Sequence, residues 1–294
     1  MRRALAAWCG LQALACATPQ AVDAPAPAPK TPAYPQPLPP DAPLPAGISI
    51  YGTYNDGCLL RSVSFDPADH PEFAPAFSIG YYRAHPDMQA LLQRTGLEYA
   101  ARFEDHRQHP LLLSDLSRDG GGQLLPHRSH QIGLDVDLFF FSSTGGPADL
   151  VETGQGVTPA FDMARNWWLA GRLAMTPGVD RIFVAAEVKG AFCAQTNPEH
   201  WGPQRSAVLR RLRPWFGHRD HFHVRMACPR GEPFCFSKVG DIPPGDGCHE
   251  VAAWLADPAH VQRRAQGRLA APRAFNPRCH PETPNEIAHP IEGP

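Results

Sequence analysis

Periodic alternation of hydrophobic and polar positions begins near Gly47 and fades past Ala256, and proline interrupts the pattern on both sides. Pro86 to Thr95 sets Met88, Leu91 and Leu92 at helical spacing, which predicts a helix with one apolar face. Leu111 to Leu113 predicts a short strand, and Gly120-Gly121-Gly122 a loop. From Gly133 to Phe141, Leu134, Val136 and Leu138 alternate with Asp135 and Asp137, so a strand here carries both carboxylates on one face. Thr158-Pro159 predicts the start of a helix running to about Met175, because proline is pre-set for a first helical turn. Further strands are expected at Arg181 to Ala185 and at His221 to Met226, with a helix from Gln204 to Arg213 between them, broken by Pro214 and Gly217. Short strands mixed with helices, without internal repeats, predict an α+β class: one compact domain with a small antiparallel sheet.

The flanks change the picture of the chain's organisation. Arg2-Arg3, the Ala/Leu-rich stretch that follows and the small residues Ala13 to Ala17 match an export signal over residues 1–17, in preference to a buried N-terminal helix. Residues 18–46 are so rich in proline that neither helix nor ladder can form, which predicts a semi-extended linker. The domain is expected over 47–280 and an irregular tail over 281–294. Cys16 is a candidate lipid anchor at the head of the linker, although Ala13 stands where such a signal usually has Leu. No later stretch has the ~18 apolar residues that a membrane span requires. The mature protein is therefore expected to be exported, soluble or lipid-tethered.

Charge and cysteine content narrow the class further. Twenty-seven basic residues against 29 acidic ones, scattered along the chain, argue against a nucleic-acid partner. Two of the eight Cys fall in the signal region, and the remaining six (Cys58, Cys193, Cys228, Cys235, Cys248, Cys279) form an even set with no C-x-x-C pair. In an exported protein that predicts three disulfides rather than a structural zinc cluster. Cys228 and Cys235 flank PRGEPF, a run of turn formers that can close a small loop.

The candidate chemistry lies in two histidine clusters, His127 and His130 in PHRSHQIGLDVD, and His218, His221 and His223 in HRDHFHVR. One such His is ordinarily a satisfied core or surface residue. Two clusters with a carboxylate partner can supply a His/Asp/His set that leaves a fourth position open, as a catalytic zinc requires. Gly133 allows a sharp turn from the histidine loop into the strand, and the period of two puts His221 and His223 on one face.

The paired motifs H-x-x-G-x-x-x-D and H-x-H resemble those of the LAS zinc peptidases, which include D-Ala-D-Ala carboxypeptidases and cell-wall endopeptidases. Many relatives have E-x-x-H-x-H, with Glu as general base, where this chain has His218. That departure, with the longer text HRSHQIGLDVDLF, RIFV, RPWFGHRDHFHVR and GDGC, resembles the penicillin-insensitive murein endopeptidases from about Ile50 to Cys279. The resemblance implies Zn²⁺ as cofactor and His130, Asp137 and His223 as its ligands. It makes His221 a non-ligating active-site His, with His218 and His127 lining the site. An imidazole there can take a proton from a zinc-activated water or, when protonated, stabilise the oxyanion and the leaving amine. The implied substrate is cross-linked peptidoglycan, cut at the D-alanyl to meso-diaminopimelyl amide. The implied disulfides are Cys193 with Cys248 and Cys58 with Cys279.

Other residues carry two readings each. Asp135 can orient a ligand or be a solvated strand carboxylate. Arg225 can hold a substrate carboxylate or form a surface salt bridge. Tyr81, Tyr82, Trp167, Trp168, Trp201 and Trp215 can floor a peptide groove, with core packing favoured for Trp167 and Trp168. The competing functions are a D-Ala-D-Ala-type carboxypeptidase, expected to have Glu at the place of His218, and a non-catalytic zinc- or peptidoglycan-binding relative, expected to have lost a ligand or filled the fourth position.

Overall fold

The computed structural model describes residues 38–39, 42–78, 80–195, 202, 204–236 and 242–256. The expected signal, Cys16, Cys279, Trp201, most of the linker and the tail lie outside the described residues. In chain order the strands are β1 (Ile50–Thr53), β2 (Asp56–Leu59), β3 (Val63–Ser64), β4 (Phe73–Pro75), β5 (Arg83–Ala84), β6 (Leu111–Leu113), β7 (Asp135–Phe139), β8 (Val151–Glu152), β9 (Gly156–Val157), β10 (Val179–Val184), β11 (Leu212–Pro214) and β12 (His221–Met226). The helices are α1 (Pro86–Arg102), α2 (Met163–Met175), α3 (Ala186–Ala194), α4 (Arg205–Arg211) and α5 (His249–Ala256).

Six strands form the central sheet in the order β11-β10-β12-β7-β6-β4. The expected antiparallel sheet is its middle, where β12 pairs with both β10 and β7, and β7 with β6. Each edge adds a parallel pair, β10 with β11 and β4 with β6. The centre of β7 and β12 is buried throughout, with Val136, Leu138, Phe222 and Val224 fully enclosed in the main core. Helix α2 packs on β10 and α4 and closes that core with Leu169, Ala170 and Leu173. Trp167 and Trp168 pack against the same cluster, as the core reading expected.

Three helix boundaries differ from the expected ones. Helix α1 runs past Thr95 to Arg102, where the added turns bury Gly96 and Tyr99 on the same apolar face, and a Cβ at Gly96 would stand 2.6 Å from the Phe73 ring. Helix α2 starts at Met163 because Asp162 caps it, its side chain accepting from the Arg165 amide at 3.0 Å; Thr158 instead accepts a turn bond from Phe161. The helix expected through Arg213 stops at Arg211, and Leu212 to Pro214 becomes an edge strand, where proline is tolerated.

Two of the expected disulfides are present, Cys193–Cys248 and Cys228–Cys235. Cys58 is also disulfide-bonded; Cys279, its expected partner, lies outside the described residues.

Candidate metal centre

The register of β12 on β7 sets His223 opposite Asp137, Arg225 opposite Asp135 and His221 opposite Phe139. Side-chain alternation then puts His221, His223 and Arg225 on the same sheet face as Asp135 and Asp137. His127 and His130 come from the loop before β7. Gly133 turns that loop at φ 70°, and a Cβ there would meet the His85 amide at 2.6 Å, so only glycine fits. His130 itself holds a left-handed φ of 66°, a strained conformation for a residue with a side chain. Its amide donates to Asp135 Oδ2 at 3.1 Å, which helps to keep it there. Gln131 ties the loop to the β1–β2 hairpin, accepting from the Gly57 amide and donating its own amide to the Tyr54 carbonyl. His218 follows Gly217 in the turn between β11 and β12.

All six residues expected at the site are brought together. His127, His130 and Asp137 form one potential metal-holding group and His218, His221 and His223 another. The groups adjoin: His130 Nε2 lies 3.3 Å from His223 Nδ1. Asp137 stands between them, with Oδ2 3.4 Å from His130 Nε2 and Oδ1 3.1 Å from His223 Nδ1. His221 Nε2 is 3.5 Å from Oδ1, and His127 Nδ1 3.6 Å from Oδ2.

What the other ring nitrogens touch determines which nitrogen of each ring bears the lone pair. His130 Nδ1 is 2.7 Å from the Leu116 carbonyl, which only accepts, so a neutral ring carries its proton on Nδ1 and its lone pair on Nε2. His223 Nε2 is 3.0 Å from Asp135 Oδ1, so its lone pair is on Nδ1. His127 and His221 are tied in the same way, through Nε2 to Asp115 at 3.0 Å and through Nδ1 to Asp220 at 2.5 Å. Lone pairs of four rings therefore converge on a buried carboxylate whose Oδ1 has no hydrogen-bond donor. With all four rings neutral such an arrangement is repulsive unless a positive charge, a proton on a ring or a cation, sits within it. The spacing fits a cation, since tetrahedral ligand atoms with bonds of about 2.0–2.1 Å lie about 3.3–3.4 Å apart.

The electrostatics are uneven around this point. Burial raises the pKa of Asp137, yet attraction to His130, His221 and His223 outweighs it and holds the carboxyl well below its ordinary range. Asp135 is also held well below its ordinary range: burial is outweighed by Arg225, then His223 and His130. Burial, followed by His221 and His223, pushes His218 well below the usual imidazole value, and its Nδ1 is buried without a well-formed hydrogen bond. For His221 burial is overcome by Asp137 and then Asp220, and its pKa rises.

Several expectations need correction. Asp135 is fully buried rather than solvated. Arg225 is engaged internally, Nε to Asp135 Oδ1 at 2.7 Å and Nη2 to Oδ2 at 3.3 Å, over the Tyr54 ring at 4.1 Å, so it is not free for a substrate carboxylate. Tyr81 and Trp215 are exposed, whereas Tyr82 packs against the core. Asp115 and Asp220 were missed. Asp220 stands inside the HRDHFH motif, where a carboxylate beside a histidine was the available signal; Asp115 has no local signal, because only the sheet brings it to His127.

The profile of a peptidase family, the penicillin-insensitive murein endopeptidases, matches residues 50–287. Proteins of that name from Haemophilus influenzae and Klebsiella pneumoniae subsp. pneumoniae are each 30% identical to this chain, over 241 and 235 residues. These alignments cover 77% and 74% of the chain and 80% of each relative. The namesake from Escherichia coli strain SE11 is 29% identical over 230 residues, 74% of the chain and 80% of the relative. The chain belongs to the penicillin-insensitive murein endopeptidase family, as the two histidine motifs suggested.

Proposed function

We propose that the protein is a zinc-dependent endopeptidase that hydrolyses amide cross-links of peptidoglycan, at the D-alanyl to meso-diaminopimelyl bond, in the periplasm after export. The observation that carries this reading is the convergence of fixed imidazole lone pairs on Asp137. Imidazole and carboxylate donors at that spacing suit Zn²⁺. In this reading His130 Nε2, Asp137 and His223 Nδ1 hold the ion. Bound zinc supplies Lewis-acid activation of a water and of the scissile carbonyl.

The chain's own residues do the rest. Asp135 holds His223 in the tautomer that presents Nδ1, and Arg225 holds Asp135. His221 takes a proton at Nε2 as the water attacks and returns it to the leaving amine nitrogen as the C–N bond breaks. His218, kept neutral by burial and by its histidine neighbours, is a hydrogen-bond donor to the developing oxyanion. His127, braced by Asp115, closes the opposite flank of Asp137. Exposed Trp215 beside Phe183 and exposed Phe77 beside Phe139 flank the histidines and give the peptide stems apolar walls.

Digestion of purified sacculi with product masses tests the reading. Conversion of cross-linked dimers to monomers, lost on chelation and restored by zinc, is the expected result. Release of terminal alanine alone would favour a carboxypeptidase, and unchanged sacculi a binding protein.

A further inference from the structure

Asp220 is a carboxylate to which neither the motifs nor the family match give a role. Its backbone carbonyl accepts the Phe140 amide at 2.8 Å, which fixes it at the start of β12 against the end of β7. Its Oδ1 lies 2.5 Å from His221 Nδ1, while Nε2 of the same ring faces Asp137 Oδ1 at 3.5 Å. The adjacent cation is turned elsewhere: Arg219 reaches Asp149 at 2.7 Å, Thr153 Oγ1 at 2.9 Å and the Val151 carbonyl at 2.6 Å. Asp220 therefore answers to the imidazole rather than to a surface ion pair with Arg219. An ionised carboxylate only accepts, so this contact places the proton of a neutral His221 on Nδ1 and its lone pair on Nε2.

We infer that Asp220 is a positioning residue that holds His221 in the Nδ1–H tautomer, so that Nε2 is the atom presented to the reacting water and the leaving amine. The inference rests on the acid–base role of His221 proposed above. In the forward step one O–H bond of the water breaks, its proton goes to Nε2, and the new C–O bond forms. The imidazolium so made faces the Asp220 carboxylate, which stabilises it in place. As the C–N bond breaks, the Nε2 proton passes to the amine nitrogen, and His221 returns to the neutral Nδ1–H form. A histidine without such a partner would divide between tautomers, and only one has a lone pair on Nε2.

The test uses the full zinc-loaded chain and its Asp220→Ala, Asp220→Asn and Asp220→Glu variants, with zinc per chain, kcat and KM on a soluble cross-linked muropeptide, and the ¹⁵N shifts of the His221 ring. Zinc content should be unchanged. In the Ala and Asn variants kcat should fall about 10- to 100-fold, with KM within about twofold, and Glu should recover most of the loss. The His221 ring should be Nδ1–H in the parent and shift towards Nε2–H in the Ala variant. A parent ring in the Nε2–H form, a kcat for Asp220→Ala within about twofold of the parent, or loss of zinc in that variant would overturn the inference. If the parent cleaves no muropeptide, the functional reading fails; the ring shifts, measured without turnover, still decide for or against the hold of Asp220 on His221.

Discussion

Asp135 and Asp137 stand on the same face of one strand, both buried, in opposite surroundings. The protein satisfies Asp135 completely, with Arg225, the His223 ring and the His130 amide all donating to it. Asp137 is ringed instead by imidazole nitrogens whose protons point away, and its Oδ1 has no donor. A buried carboxylate is costly unless something compensates it, so the first residue belongs to the scaffold, and in the proposed function the second takes its compensating charge from a bound ion. Burial and a depressed pKa, which both residues share, therefore do not mark the site. The direction in which the neighbouring protons point does.

The sharpest way to break this contrast is to remove the residues on the Asp137 side. Asp137→Ala and His223→Ala should each lose bound zinc and at least about 1,000-fold in activity, measured as metal per chain beside muropeptide hydrolysis, because a three-ligand site does not survive loss of a ligand. Next in size, His221→Ala should keep its zinc and lose about 100- to 1,000-fold in turnover. Zinc loss in that variant would make His221 a ligand.

On the Asp135 side the effect should appear in stability first. Arg225→Ala takes from the buried Asp135 carboxylate the cation that faces it, leaving only the His223 ring and the His130 amide as donors, and should cost about 3 kcal/mol in denaturant unfolding, with or without zinc. Asp135→Asn frees the His223 ring and should weaken zinc binding about 10- to 100-fold. By contrast, Asp137→Asn should cost the chelated protein at pH 8 less stability than Asp135→Asn does, since no hydrogen-bond donor reaches Oδ1 of Asp137. Destabilisation of both Asn variants alike under those conditions would erase the distinction.

The smallest effect is in pH. Asp135 has a folded pKa below its unfolded value of about 3.9, so its contribution to stability is complete above that pH and is lost as pH falls towards the folded value. Asp135→Asn should therefore flatten the decline of Tm in chelated protein below about pH 4, while leaving the curve between pH 6 and 8 parallel to the parent's.

Much of this was legible in the chain because the signals are local. Alternation in β7 and β12 predicted which residues share a face, and the H-x-x-G-x-x-x-D spacing predicted the turn at Gly133. The partners of those residues were not legible, because they are set by register. Asp115 reaches His127 only because β6 lies beside β7, and Arg225 reaches Asp135 only because β12 pairs with β7 in the observed register. Helix ends were misread where the deciding contact is not in the spacing of apolar residues, as at Asp162, whose side chain caps the Arg165 amide. Asp220 was visible in the motif, but its bond to His221 depends on side-chain geometry that periodicity does not encode.

In the proposed function Asp137 completes a centre built for one metal ion. The most direct test is zinc titration of the chelated protein, followed by thermal unfolding and elemental analysis, for the parent and for Asp137→Asn. One zinc per chain and a clear rise in Tm in the parent, with neither in the variant, is the predicted result. A parent that binds no zinc, or a variant that binds it with the same affinity and the same rise in Tm, would contradict the account.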